Sequence, residues 1–191
     1  MERDSRLRGN DGNGIERREG IAMDFDDREF RNALGMFPSG VTVITTGTAP
    51  NFVGMTAQSF SSLSLDPPLV LVCVDKGASV LPLLKETAAF SVNILPDTAM
   101  DTSNYFASSK RPPPPHQFDE HEHVLGETGQ PRLASATMVF DCSIHSVLEG
   151  GDHEIIVGEV KAFEQQSDEE PILFYGGNYR KMGPPDPSMS W

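Results

Sequence analysis

Cysteine is nearly absent from this chain: Cys73 and Cys142 are the only two in 191 residues. Both sit inside apolar, strand-like runs, which points to a reducing, cytoplasmic setting. Long apolar runs are missing too. No stretch approaches the roughly 20 residues of a membrane span, and the N-terminus lacks the basic-then-apolar order of a secretory signal. A soluble protein with no membrane partner is expected. Basic residues are scarce, with 15 Lys and Arg against 28 Asp and Glu for a net charge of −13. Residues 1–22 carry five of each sign, so ten bases serve the remaining 169 residues. Affinity for nucleic acid comes from clustered cations that neutralise phosphates, and that partner class is excluded. No G-x-G-x-x-G follows a strand and no G-x-x-x-x-G-K-[ST] occurs, so a Rossmann or P-loop nucleotide site is not supported. No internal repeat is visible.

What is present fits one domain with extensions. Residues 1–22 are polar and rich in Gly and Arg, and cannot offset the entropy of ordering, so a disordered N-terminal extension is expected, with Met23 as the natural start. The domain is expected over 23–182, followed by a C-terminal tail at 183–191. Asp26 and Glu29 have capping-box spacing, and Phe30, Leu34 and Phe37 follow at helical intervals, predicting a short amphipathic helix that Pro38 ends. Strands then dominate: 41–46, 69–74, 90–95, 138–148, 154–163 and 172–175 are rich in β-branched and aromatic residues. Gly150 and Gly151 offer positive φ for a hairpin between the fourth and fifth. Short helices are expected at Ser79–Glu86 and Asp97–Phe106, each opened by a capping residue. Without βαβ alternation, the pattern reads as a mainly β, antiparallel barrel. Residues 107–118, ASSKRPPPPHQF, form a stiff proline-rich surface loop.

The densest chemical signal is GMTAQSFSSLSLDPPLVLVCV, residues 54–74: a strand end, a run of small hydroxylated side chains, a Pro-Pro stop and a buried strand. Small side chains let backbone N–H groups approach a flat polar ligand, although Ser/Thr-rich loops are more often plain turns. His116, His121 and His123 with Glu120 and Glu122 resemble a metal cluster, but their proline-bounded acidic loop has no companion Cys or His pair at zinc spacing. A solvated face is the better reading, with no metal.

Five stretches in order carry a resemblance: 30–45 (FRNALGMFPSGVTVIT), the 54–74 segment, 90–95 (FSVNIL), 150–160 (GGDHEIIVGEV) and 171–182 (PILFYGGNYRKM). Together they resemble the flavin reductase-like, FMN-binding split-barrel family, the reductase components of two-component flavin monooxygenases, over roughly residues 24–182. The resemblance implies a split β-barrel homodimer holding FMN near the subunit interface. It implies hydride transfer from NADH or NADPH to the flavin, and a partner monooxygenase as the destination of the reduced flavin. By position, Ser39, Gly40 and Val41 resemble contacts at the flavin end. Thr56, Ala57, Gln58 and Ser59 resemble flavin-edge contacts, Ser62 a ribityl contact, and Cys73 and Val74 residues lining the flavin. Cys73 also reads as a small buried hydrophobe. Asp75 to Ser79 open a helix, so its N-terminus, Ser79 and Lys76 are the expected phosphate contacts; the family often has Ser-x-Thr here, and Val80-Leu81 offers no second hydroxyl. Lys110 and Arg111 are either loop charges or a cover over a phosphate or nicotinamide nucleotide. His153 matches the family's Gly-Asp-His, beside the nicotinamide, with Asp152 either orienting it or shaping the turn. Tyr175, Gly177 and Tyr179 match a flavin-side segment, and serve equally well as core. An FMN-binding electron carrier of the same fold, without NAD(P)H turnover, is the rival reading. A pyridoxamine-phosphate-type oxidase would need more cations than the chain holds.

Overall fold

The computed structural model describes residues 26–184 and Ser188. The extension expected at 1–22 lies outside the described residues, as does most of the 183–191 tail. Helix α1 (Asp27–Leu34) begins where expected: the Asp26 carboxylate accepts from the backbone N–H groups of Arg28 (2.8 Å) and Glu29 (3.0 Å), satisfying donors that the first turn leaves free. It ends at Gly35, ahead of Pro38, so Phe37 falls beyond the helix and is 79% exposed.

Among the described residues twelve strands follow, against the six expected. Strand β1 (Ser39–Gly40) precedes the hairpin of β2 (Thr42–Thr48) and β3 (Asn51–Ala57). A second hairpin joins β4 (Ser61–Leu65) to β5 (Pro68–Asp75) across the Pro-Pro stop, and α2 (Val80–Thr87) leads into β6 (Ala89–Ile94). After α3 (Met100–Ala107), a 3₁₀ turn (His116–Phe118) precedes β7 (His123–Leu125) and β8 (Pro131–Leu133). The long hairpin of β9 (Met138–Gly150) and β10 (His153–Gln165) precedes β11 (Leu173–Tyr175) and β12 (Asn178–Arg180). At its tip Gly151 has φ +76°, while Gly150 closes β9 without a positive φ, so one glycine makes the turn.

Seven strands form one antiparallel sheet in the order β3-β2-β6-β9-β10-β5-β4. Its two edge strands, β3 and β4, are consecutive in the chain and joined only by Gln58 to Phe60. The sheet therefore curls until its edges meet, leaving a seam between β3 and β5, as a split barrel requires. One core cluster contains Ile44, Val72, Val74, Leu84, Phe90, Cys142 and Ile156. The other places Val41, Val43, Leu95, Phe106, Phe118, Leu133 and Ile172 between the sheet and α3. Strands β2 and β6 are buried on both faces, so their runs lack a clean alternation. Their polar members are satisfied: Thr42 Oγ1 donates to Ala57 O (2.8 Å), Thr46 Oγ1 to Ala89 O (2.7 Å) and Asn93 Nδ2 to Val43 O (2.9 Å). Helix α3 begins at Met100, later than expected. Asp97 does not cap it; its carboxylate pairs with Lys181 at 3.0 Å.

The proline-rich loop is only partly at the surface. It ends by burying Gln117 and Phe118, and the Gln117 carbonyl oxygen accepts from the Tyr105 hydroxyl at 2.9 Å. Beyond it, His121 packs on Tyr105 and Phe106 with centroids 4.4 and 4.9 Å away, and His123 packs on Phe118 at 5.1 Å. These are half-buried ring contacts, so the solvated face expected here holds for His116, Glu120 and Glu122, which are exposed, and is corrected for His121 and His123. Burial holds the His121 pKa below its usual value.

Candidate functional site

The seam is where the sheet leaves backbone edge available. Strand β4 reaches β5 only as far as the Ser61–Leu71 pair, so farther along β5 the ladder position is taken by a side chain. Ser59 Oγ accepts from Cys73 N–H (2.9 Å) and donates to Cys73 O (3.0 Å). Thr56 Oγ1 donates to Ser103 O at 2.7 Å, tying the end of β3 to α3. With both hydroxyls committed, what the Thr56–Ser59 edge offers a ligand is mainly its main chain and Gln58. A cleft of about 850 Å³ opens along this edge.

That cleft gathers Ser39, Thr56, Ala57, Gln58, Ser59, Cys73, His153 and Tyr179. Sequence reading named each of them from separate segments. Leu34, Phe37, Phe106, Ala107 and Arg111 also line the cleft. Tyr179 is fixed by Ser103 Oγ (2.8 Å) and by donation to Asn104 Oδ1 (3.0 Å).

His153 opens β10, where the register sets it opposite Asp75 at the end of β5. Its Nδ1 lies 2.8 Å from Asp152 Oδ1, so Nε2 is the ring atom left for the cleft. The hydrogen bond from His153, reinforced by its charge, holds the Asp152 carboxyl below its usual pKa. Asp75, read in the sequence only as the start of the segment leading into α2, accepts from Gly77 N–H at 2.6 Å, and its carboxylate comes within 4.8 Å of the Asp152 and His153 ligand atoms. The β5–β10 pairing alone brings them together. Pairing the 69–74 run antiparallel against the 154–163 run would have found it.

Other expected site residues fall elsewhere. Val41 and Val74 are wholly buried core side chains. Gly40 follows Ser39 in β1 and is exposed. Tyr175 is half-buried outside the cleft lining, while its neighbour Phe174 lines the cleft, because successive strand residues face opposite sides. Ser62 lies on a separate apolar groove with Phe60, Leu65, Phe140 and Phe163. Lys76 pairs with Glu149 at 3.3 Å. Ser79 occupies the N-cap position of α2, but its hydroxyl makes no capping bond. It lines an adjoining cavity of about 670 Å³ that shares Met55, Ala107 and Arg111 with the cleft.

The profile described as "Flavin reductase like domain" matches residues 34–183. The chain belongs to this flavin reductase-like family. An NADH-dependent FAD reductase of Streptomyces globisporus is 43% identical over 165 residues, covering 85% of this chain and 90% of that protein. The reductase subunit HsaB of a flavin-dependent monooxygenase from Rhodococcus jostii is 37% identical, covering 83% of this chain and 80% of its own. Among solved structures, the Streptomyces globisporus NADH:FAD oxidoreductase SgcE6 superposes with a TM-score of 0.79 at 42% identity, covering 84% of this chain and 96% of that one. The mainly β, antiparallel architecture expected from the strand pattern is thus the flavin reductase architecture. No helix among the described residues is long and apolar enough to cross a membrane.

Proposed function

We propose that this chain is an NADH-dependent flavin reductase whose reduced flavin serves a partner monooxygenase. The observation carrying this reading is the meeting of the Thr56–Ser59 edge, Cys73 and His153 in one cleft built on the barrel's seam. Its contents fit a flavin: a flat slot with main chain along one edge, aromatic and aliphatic walls, and a guanidinium, Arg111, at one end.

A bound flavin supplies the hydride-accepting ring, so no side-chain nucleophile is required. The chain's part is placement and charge. Backbone N–H groups along residues 56–59 are suited to stabilise negative charge at the ring edge, since preorganised donors in a partly dry site do this without reorganising. His153, steadied by Asp152, supplies a hydrogen-bonding atom at the cleft mouth where a nicotinamide carboxamide would lie. Phe106, wholly buried, gives the cleft an apolar wall.

A homodimer completes the proposal. Leu65 is 97% and Phe163 69% exposed on the groove that also holds Phe60 and Phe140, and α1 buries none of its side chains in its own subunit. Apolar surface of this kind is suited to a second copy. The test is the rate of nicotinamide absorbance loss with NADH or NADPH and, in turn, FMN, FAD and riboflavin. Turnover with NADH and any flavin supports the reductase. Flavin binding without turnover would leave the electron-carrier reading instead.

A further inference from the structure

Strand β5 turns alternate residues to opposite sides: Val72 and Val74 are wholly buried in the core, while Cys73 and Asp75 line the cleft. Asp75 is thus the next cleft-facing position after Cys73, and the β5–β10 register sets it opposite His153. Its backbone is fixed on both sides. The Asp75 carbonyl oxygen accepts from Ala78 N–H (2.9 Å), and Lys76 N–H donates to Asp152 O (3.0 Å), which laces the end of β5 to the tip of the β9–β10 hairpin. The carboxylate is anchored through Oδ1, which accepts from Gly77 N–H at 2.6 Å. Oδ2 has no hydrogen bond or ion pair among the described residues, and the ammonium of neighbouring Lys76 is 3.3 Å from Glu149 instead.

The hydrogen-bonding character of this spot follows from the partners. Asp152 is an ionised acceptor, so His153 Nδ1 is the donor in the bond between them, and in the neutral ring Nε2 then carries a lone pair. The Asp75 carboxylate is a second acceptor. Ligand atoms of Asp75, Asp152 and His153 all lie within 4.8 Å of one another, so two acceptors converge at the cleft mouth. A nitrogen bearing two N–H bonds matches that pattern. A ketone would leave the acceptors unpaired, and a carboxylate would meet like charge.

Resting on the placement of the nicotinamide beside His153, we propose that Asp75 is a specificity-determining residue of the reductase. Its carboxylate accepts one N–H of the nicotinamide carboxamide while His153 Nε2 accepts the other. The pair selects a primary amide on the pyridine ring and rejects the corresponding acid.

The test compares NAD⁺ with two analogues that differ only at the carboxamide: nicotinic acid adenine dinucleotide, with a carboxylate there, and 3-acetylpyridine adenine dinucleotide, with a methyl ketone. Each is titrated in EDTA as an inhibitor of NADH oxidation with FMN as acceptor, and its binding is measured without turnover by equilibrium dialysis. In the wild type the ketone should bind more weakly than NAD⁺, and the acid at least about tenfold more weakly. Asp75→Asn keeps an oxygen for Gly77 N–H and offers an NH2 to the acid, so it should bring the acid to within about threefold of NAD⁺. Glu149→Gln removes a charge from the same hairpin outside the cleft lining, and should leave the wild-type ratio intact. Three results each overturn the proposal: acid and amide bound equally by the wild type, a ratio unmoved by Asp75→Asn, or a ratio lost equally in Glu149→Gln. The first needs no variant to fold. His153→Ala separates this failure from that of the nicotinamide placement. If it weakens NADH while the wild-type ratio is flat, the nicotinamide sits at the mouth and Asp75 does not read it. If it leaves NADH unchanged, the placement itself falls, and the proposal with it.

Discussion

His153 Nδ1 lies 2.8 Å from Asp152 Oδ1, so the imidazole at the cleft mouth is held by a carboxylate on its far side. His153→Ala should raise the KM for NADH or slow turnover by roughly two- to tenfold, the scale of one lost hydrogen bond to a neutral group. FMN affinity, measured by fluorescence titration, should stay unchanged. Unaltered kinetics would remove His153 from the site, and a joint loss of stability and FMN binding would make it a folding residue.

Arg132 and Asp141 make a buried ion pair remote from that mouth. Asp141 is wholly buried, and Arg132 reaches it from β8 with Nη2 at 2.5 Å. Ser91 Oγ and the Glu127 N–H also donate to it, at 3.0 and 2.6 Å. The hydrogen bond to Asp141 is the main reason the Arg132 pKa is raised. Arg132→Met strands a buried carboxylate and should cost about 3–5 kcal/mol in denaturant unfolding. Flavin affinity of the folded fraction should be preserved.

Gly54 on β3 is packed beneath α3: a Cβ there would stand 2.5 Å from Phe106 Cε1. Gly54→Ala must displace that ring and should cost about 1–3 kcal/mol. Phe106 also lines the cleft, so flavin affinity should fall with stability. A thermal melt read beside a flavin titration checks both.

The two thiols should behave oppositely. Cys73 lines the cleft, whereas Cys142 is buried, and burial pushes its thiol from 9.0 up to about 12. Iodoacetamide should modify Cys73, more slowly when flavin is present, and reach Cys142 only on unfolding. The linkage runs one way. The unfolded thiol ionises first, so the contribution of Cys142 to stability is complete below pH 9 and is lost as pH rises toward 12. Cys142→Ala should show a shallower alkaline fall in melting temperature.

Phe163→Glu places a charge on the apolar groove. If that groove pairs two copies, sedimentation should shift from dimer to monomer, with association weakened by about 2 kcal/mol or more. An unshifted dimer would move the interface elsewhere.

Much of this was readable from residue order. The six β-branched runs all became strands, because that chemistry suits a pleated, half-buried surface. Strand β3 was read only as a strand end and β4 was missed, because Gly54 and the serines of 61–64 lack that bulk, and the seam opens where β4 stops short at the Ser61–Leu71 pair. In the cleft, eight residues named from the sequence do meet, yet Val41, Val74 and Ser62 do not join them. A family position specifies a main-chain locus, while the direction of the side chain depends on strand phase. Asp75 reaches the cleft through cross-strand register, which local spacing does not encode, while Arg111, named in the sequence beside Lys110, reaches it along the loop after α3.

The two sides of the cleft and its adjoining cavity answer to different constraints. Its floor is β3 and β5, where each substitution is felt through a shared sheet and two cores. Its outer wall, Pro112 to Pro114, belongs to a connection between α3 and the 3₁₀ turn. Insertions or exchanges there leave every ladder intact. The outer wall is therefore free to change shape and chemistry while the sheet beneath the cleft stays fixed.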